Sequence, residues 1–181
     1  MNIFALDLDT ERCAQFHTDS HTIKMILEYS QLLSTAHRLL DGVHTYELSK
    51  AGRRVARWNI ADERNDILYA ATHVNHPSAV WVRESSSNYK WLQNLLVMLC
   101  TEYTYRYGKI HKCQSIGLVD ALERIPTNIK HAEMTQIKLA MPDEYKVSDP
   151  IESYRNYYRY GKTHLQKWTG KIAGRPKPEW L

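Results

Sequence analysis

Glycine, cysteine and long apolar runs are all scarce in this chain, and each scarcity argues against a class of protein. Only seven of the 181 residues are glycine, and none belongs to a Gly-rich phosphate loop or a dinucleotide-binding fingerprint, so nucleoside triphosphate and nicotinamide chemistry are poorly supported. The three cysteines have no CxxC spacing, which is typical of reduced thiols. No stretch has the roughly 18 apolar residues of a membrane span, and no basic leader precedes an apolar run, so we expect neither membrane insertion nor secretion.

The basic charge is concentrated in the last part of the chain. The net charge is only +4 over 181 residues. Residues 154–177, however, contain seven Lys or Arg and no Asp or Glu, so the rest of the chain is net acidic. A one-sided distribution of this kind is typical of a surface that meets phosphates.

The hydrophobic pattern predicts a mainly α protein with one compact helical domain over residues 1–170 and an extended basic tail over 171–181. Residues 43–59 lack helical periodicity and indicate a small β-hairpin or a long loop. Capping residues, glycines and prolines place the helices, which we expect at about 10–17, 20–40, 78–107 with a pause at 85–87, 117–124 and 150–168.

A line of polar residues runs along one face of the helix predicted at 20–40. Lys24, Glu28, Gln31 and Thr35 follow one another at steps of four, three and four, and His21 extends the line by one turn. The other faces of this helix are apolar, which predicts that it is buried and that its charges are shielded. Two interpretations stay open: a structural ion pair, or a shielded carboxylate used for acid–base chemistry, with His21 and Gln31 supplying hydrogen bonds.

Two histidine pairs have spacings that a zinc site would allow. They are His17 with His21 and His73 with His76. Neither pair belongs to an HExxH motif or has a cysteine pair beside it, so we predict no metal site and no cofactor. We expect His76 instead to bind a phosphate or to position a base.

The helix that should start after Pro77 carries an arginine within its first two turns. A helix N-terminus beside Arg83 would form an anion site suited to a DNA phosphate. In the alternative interpretation, Trp81 belongs to the core and Arg83 pairs with Glu84 or another carboxylate.

Tyrosines alternate with arginines or lysines in two segments, 102–109 and 153–168. Tyrosine rings stack on bases and sugars while the cations bind phosphates, whereas amphipathic helices with tyrosines at the core boundary would give the same pattern. We interpret the segments as DNA contacts, with these candidate residues: Tyr105, Arg106, Tyr154, Arg155, Tyr158, Arg159 and Lys162.

The pattern Lys24-x3-Glu28-x2-Gln31-x-Leu33, followed by Asn75-His76-Pro77 and then Trp81 and Arg83, resembles the pyrimidine-dimer DNA glycosylase family of the endonuclease V type, known from bacteriophages and some bacteria. The resemblance is partial and covers about half of the chain, mostly its first hundred residues. It implies a mainly helical enzyme in the cytoplasm of a bacterium or of a phage-infected cell.

The resemblance also implies a reaction. The family flips a nucleotide out of the duplex, attacks the sugar C1′ with the N-terminal amine, forms an imine and cleaves the strand by β-elimination with the help of one glutamate. Carried over, Glu28 is that glutamate. Met1 supplies the amine, because bulky Asn2 should prevent removal of the initiator methionine, whereas family members expose a small residue. Lys24 is the alternative nucleophile if it is desolvated.

Three other functions remain open on the sequence. The chain could be an enzyme that builds or alters a modified pyrimidine in DNA or as a nucleotide. It could be a non-catalytic DNA-binding or inhibitor protein, in which the polar line is a structural network. A His-ligated metal enzyme is the fourth option.

Overall fold

The N-terminal segment runs through the interior before the first helix begins. In the computed structural model, which describes residues 1–181, Ile3 to Leu6 are buried. Helix α1 (Thr10–Phe16) then starts at Asp9, whose carboxylate accepts the backbone N–H of Arg12. The cap satisfies one of the N–H groups that a helix start leaves without a partner.

Two long helices form the centre of the fold. Helix α2 (Asp19–Asp41) begins at the Thr18 cap, and α5 (Ser86–Tyr107) begins at the Ser85 cap and ends at Gly108, which has a φ of 63°. Only glycine adopts that left-handed conformation without strain. The two helices pack against each other and both pack against α4 (Pro77–Glu84), while α5 also packs against α1, which confirms the predicted mainly α fold.

The segment after α2 is a two-stranded antiparallel hairpin. Strand β1 (Val43–Leu48) pairs with β2 (Arg54–Asn59), with Val43 opposite Asn59 and Leu48 opposite Arg54. The prediction of a small hairpin over 43–59 is confirmed.

Short helices and loops complete the domain. They are α3 (Arg64–Ile67), α6 (Lys112–Ser115), α7 (Leu118–Ala121), a 3-10 turn (Asp143–Tyr145) and α8 (Pro150–Asn156). None of the helices is both long and apolar enough to cross a bilayer.

The prediction of one helix over residues 150–168 was wrong beyond the first two turns. After α8 the backbone widens into a π-helical turn (Tyr157–Gly161), and a 3-10 turn (Thr163–Leu165) follows. The Tyr157 ring lies directly against Gly161, where a Cβ would come within 2.5 Å of it. The missing side chain at Gly161 therefore allows the turn to hold the Tyr157 ring in place.

The last eleven residues lie against the helical body. The backbone N–H groups of Lys171 and Ile172 donate to the carbonyl of Arg106, and Arg175 pairs with Glu102 at 2.9 Å. The tail is thereby fixed to the C-terminal end of α5.

Candidate functional site

A cleft of about 280 Å³ opens where the N-terminal segment meets α2, the start of α4 and the π-helical turn. This volume is near the lower end of small-molecule sites, about the size of a sugar or a base. Six of the sequence-predicted site residues line it, together with four others; the ten are Met1, Asn2, Phe4, His21, Lys24, Glu28, His76, Ala140, Tyr157 and Lys162.

A carboxylate lies between two amines in this cleft. The N-terminal nitrogen of Met1 is 3.9 Å from Glu28 Oε2, and Lys24 Nζ is 3.2 Å from Glu28 Oε1. The side chain of Glu28 is 14% exposed and that of Lys24 is 65% exposed. Glu28 is thus shielded but reachable, and a group entering the cleft meets an amine and a carboxylate side by side.

The Asn2 side chain holds the N-terminal segment in place. Its amide donates to the carbonyl of Ala140 at 2.8 Å, and its Oδ1 accepts from the Ile3 N–H at 2.9 Å and from the Tyr154 hydroxyl at 3.0 Å. Three hydrogen bonds on the residue next to Met1 restrict where the amine can lie, which is the preorganisation that an amine nucleophile needs.

A second anchor lies under Phe4. The Phe4 N–H donates to the Tyr29 hydroxyl at 3.1 Å. That hydroxyl in turn donates to Nε2 of His17, because Nδ1 of His17 donates to the carbonyl of Cys13. Burial lowers the pKa of His17 to about 4, so the ring is neutral at neutral pH and the network carries no charge.

His21 forms part of the cleft wall as a neutral ring. It stacks on Phe4 with ring centroids 4.4 Å apart, and its Nδ1 is hydrogen-bonded to the Tyr158 hydroxyl. Burial is the largest cause that lowers the pKa of His21 to about 3, and the neighbouring His17 and Lys162 add to it. His21 therefore acts as a hydrogen-bonding and packing group at neutral pH.

His76 lies at the junction of the cleft and α4. Its Nδ1 accepts the Ser78 N–H and caps the helix. Burial lowers its pKa, as does the nearby N-terminal amine, while Glu28 acts in the opposite direction.

Positive groups outnumber negative ones at the cleft. The Met1 amine, Lys24 and Lys162 face a single carboxylate, Glu28. Such a balance favours an anionic ligand, for example the phosphates on either side of a sugar.

An aromatic wall lies beside the cations. The Tyr157 ring lies under Lys162 Nζ at 4.6 Å and stacks on Tyr145 at 5.1 Å. The ring centroid of Phe4 is 6.2 Å from that of Tyr157. A base or sugar could pack against this wall.

Sequence reasoning missed Asn2, Phe4 and Tyr157. Asn2 and Phe4 carry no local pattern that points to a site. Tyr157 lies in the tyrosine-rich segment 153–168, in which Tyr154 and Tyr158 were the predicted contacts, and it lies at the start of the π-helical turn that replaces the predicted helix.

The prediction that α2 is buried is wrong for the first half of the helix, whereas residues 32–38 in its second half are all buried. In the first half, Ile23 and Leu27 are 42% and 39% exposed and share the solvent side with Lys24. Lys24 is consequently well hydrated, and the desolvation that its role as alternative nucleophile required is absent.

Three of the expected DNA-contacting side chains are inside the protein, which corrects that expectation. Arg106, Tyr154 and Tyr158 are fully buried. The Arg106 guanidinium donates to Glu102, to Asp19 and to two backbone carbonyls. A phosphate cannot reach these groups without unfolding the protein locally.

Two more of the expected DNA contacts are occupied by internal partners. Arg155 donates to the Leu6 carbonyl and lies 3.4 Å from Asp7. Arg159 donates to the Trp180 carbonyl and lies 3.2 Å from Glu152.

The remaining candidates lie outside the cleft lining. Tyr105 is 44% exposed, with the Arg175 guanidinium 4.0 Å above its ring. Gln31 is half-buried. Trp81 is fully buried, as the core interpretation of that helix predicted, but Arg83 donates to the Ala79 carbonyl and forms no ion pair with Glu84 or another carboxylate.

A larger cavity of about 540 Å³ lies between α1, α8 and the tail. Two of its cations, Arg12 and Arg155, lie 3.6 and 3.4 Å from Asp7, which neutralises part of their charge. Lys177 and Glu179 also line it, but they form no ion pair with each other, so the smaller cleft with the amines paired to Glu28 is the stronger candidate for chemistry.

No three His, Cys, Asp or Glu side chains are grouped so that they could hold a metal ion. The protein was compared with protein-family models, with characterised proteins and with solved structures, and no match was found.

Proposed function

We propose that the protein is a DNA glycosylase with lyase activity that acts on damaged or modified pyrimidines. The observation that carries this proposal is the Met1 amine 3.9 Å from the shielded Glu28 carboxylate in an open, cation-rich cleft. An amine nucleophile and a carboxylate are the groups that this reaction needs.

In this proposal the amine attacks C1′ of the deoxyribose while the bond from C1′ to the base breaks, and the base leaves with the electron pair and takes up a proton from water. Glu28 accepts the proton that the amine gives up. It returns this proton to O4′ as the bond from C1′ to O4′ breaks and the ring opens to an iminium ion, and the carboxylate that is thereby restored stabilises the cation. The hydrogen bonds of Asn2 fix the position of the Met1 amine, whereas the Lys24 side chain is 65% exposed. This favours Met1 over Lys24 as the nucleophile.

The cleft also suits the position of a sugar in DNA. Lys24 and Lys162 can bind the phosphates that flank the sugar, while Tyr157 and Phe4 offer aromatic surface for the displaced nucleotide. Strand cleavage follows when a proton is removed from C2′ and the bond from C3′ to its oxygen breaks.

Borohydride trapping on duplex DNA with an abasic site tests the proposal. The reagent reduces the iminium ion, so the wild-type protein should become covalently joined to the DNA. Glu28→Gln should lower the trapping rate by about 100-fold or more, the scale of a lost general acid or base. Glu63→Gln, a matched change at a glutamate that is 84% exposed, should have no effect. No adduct with the wild-type protein would overturn the proposal.

One observation favours a second candidate, a non-catalytic DNA-binding protein. Lys24 and Glu28 are four residues apart on a helix and Lys24 is mostly exposed, which is typical of ordinary surface ion pairs. In that case the double variant Lys24→Met with Glu28→Leu would retain the stability of the protein, and no DNA substrate would be trapped or cleaved.

A further inference from the structure

The β1–β2 hairpin exposes side chains that a helical domain does not need for its own stability. Val43, Tyr46 and Leu48 are 68%, 55% and 75% exposed. Two strands alone are marginal in water, and exposed apolar groups on them normally mark a contact surface. We define the binding ribbon as residues 43–59.

One face of the binding ribbon is a row of flat groups. The register puts His44 opposite Trp58, and Tyr46 lies on the same face two residues further along. The His44 and Trp58 rings are stacked 4.7 Å apart, and the guanidinium of Arg54 lies 3.7 Å above the Tyr46 ring. Stacked aromatic and guanidinium groups are the chemistry on which nucleic-acid bases and sugars pack.

The turn end of the binding ribbon is positively charged. Lys50, Arg53 and Arg54 make no ion pair within the protein, whereas Arg57 is 3.6 Å from Glu47, the only carboxylate of the ribbon. The three free cations are exposed. They complement a polyanion rather than a neutral or basic partner.

The binding ribbon and the cleft lie at different places along one rigid helix. Glu28 is near the cleft, and β1 begins just after α2 ends at Asp41. Those thirteen residues of helix place the start of the ribbon about 20 Å from Glu28 along the helix axis, and the cations at the turn lie beyond the far end of β1.

We propose that the binding ribbon is a second DNA contact, which binds the duplex at a distance from the nucleotide held in the cleft. The identity of the ligand as DNA rests on the proposed function. The location of the contact rests instead on the free cations and the exposed aromatic face of the ribbon.

The test measures how tightly a fluorescent duplex binds, by anisotropy over a series of salt concentrations. The variant R53A/R54A should weaken binding by about tenfold at low salt and lower the slope of log affinity against log salt by about two, because each lost phosphate contact lowers it by about one. The matched control K90A/R124A removes two cations outside the ribbon and should leave both quantities unchanged. The charge-retaining R53K/R54K should keep the wild-type salt slope, because both cations remain, and should bind more tightly than R53A/R54A.

Borohydride trapping at saturating DNA separates this proposal from the proposed function. If the wild-type protein binds the duplex and R53A/R54A binds tenfold less tightly, the ribbon proposal stands whether or not an adduct forms. If R53A/R54A binds as tightly as the wild-type protein, the ribbon proposal is overturned, and an adduct at saturation would still support the proposed function. If no duplex binds to the wild-type protein, the ribbon proposal is overturned as well.

Discussion

Two carboxylate–cation pairs in this protein have the same spacing on a helix and opposite environments. Glu102 and Arg106 on α5 are 3% and 0% exposed and lie 2.6 Å apart. Lys24 and Glu28 on α2 are 65% and 14% exposed and lie 3.2 Å apart. Spacing alone therefore does not show which pair is structural, because the environment is determined by the side of each helix that packs against the rest of the protein.

The two pairs also differ in how their hydrogen-bonding capacity is used. The Arg106 guanidinium donates to Glu102 and Asp19 as well as to the carbonyls of Gln15 and His17. Glu28, in contrast, faces two amines and open space. The buried pair joins α1, α2 and α5, whereas the open pair is available to a ligand.

The largest expected effect is on the buried pair. Arg106→Met should lower the free energy of unfolding by about 3–5 kcal/mol, because it leaves Glu102 and Asp19 without their buried partner. Urea unfolding at neutral pH measures this. A loss below about 1 kcal/mol would show that the buried pair contributes no more than a surface pair does.

The neutral histidines of the interior should make the stability depend on pH. Burial lowers the pKa of His17 from 6.5 to about 4, so the unfolded state binds a proton that the folded state rejects. The contribution of neutral His17 to the free energy of unfolding is therefore fully present above about pH 6.5 and is lost as the pH falls toward 4.

Urea unfolding at pH 7 and pH 5 tests this dependence. Between these values the wild-type protein should lose about 2 kcal/mol more than His17→Gln, whose side chain does not titrate. Equal losses in the two proteins would mean that His17 is not held neutral in the folded state.

A smaller effect is expected at Asn2, where a substitution should disturb the position of the Met1 amine with little change in the stability of the fold. Asn2→Leu keeps the initiator methionine but removes the hydrogen bonds that hold the amine. We expect the trapping rate to fall by about tenfold, while the free energy of unfolding changes by about 1 kcal/mol or less. Asn94→Leu, at an exposed position of α5, is the control. An unchanged trapping rate would show that the amine needs no such anchor.

The smallest effect is expected at the exposed lysine. Lys24→Met should change the free energy of unfolding by less than about 1 kcal/mol, while DNA binding weakens a few-fold at low salt and recovers its wild-type value at high salt. A stability loss as large as that of Arg106→Met would contradict the assignment of Lys24 as a surface group.

Local signals predicted much of the fold. Asp9, Pro77 and Gly108 mark helix ends as their chemistry requires, and the hairpin lies at 43–59 as its pattern indicated. These features depend on neighbours within a few residues, which is why a sequence reveals them.

Long-range packing decided the features that were not predicted. The orientation of α2 places Lys24 in water, and Gly161 allows the Tyr157 ring to end the regular helix. Arg106 is buried because the tail and the end of α1 cover it. Only the family resemblance predicted that Met1 and Glu28 lie close together, because 27 positions separate them along the chain.

The central claim is that the amine at Met1 reacts while Glu28 assists it. Peptide mapping by mass spectrometry, after borohydride trapping on DNA with an abasic site, tests it most directly. We predict that the reduced sugar adduct lies on the N-terminal nitrogen of Met1. An adduct on Lys24 or on another lysine, or no adduct at all, would contradict the claim.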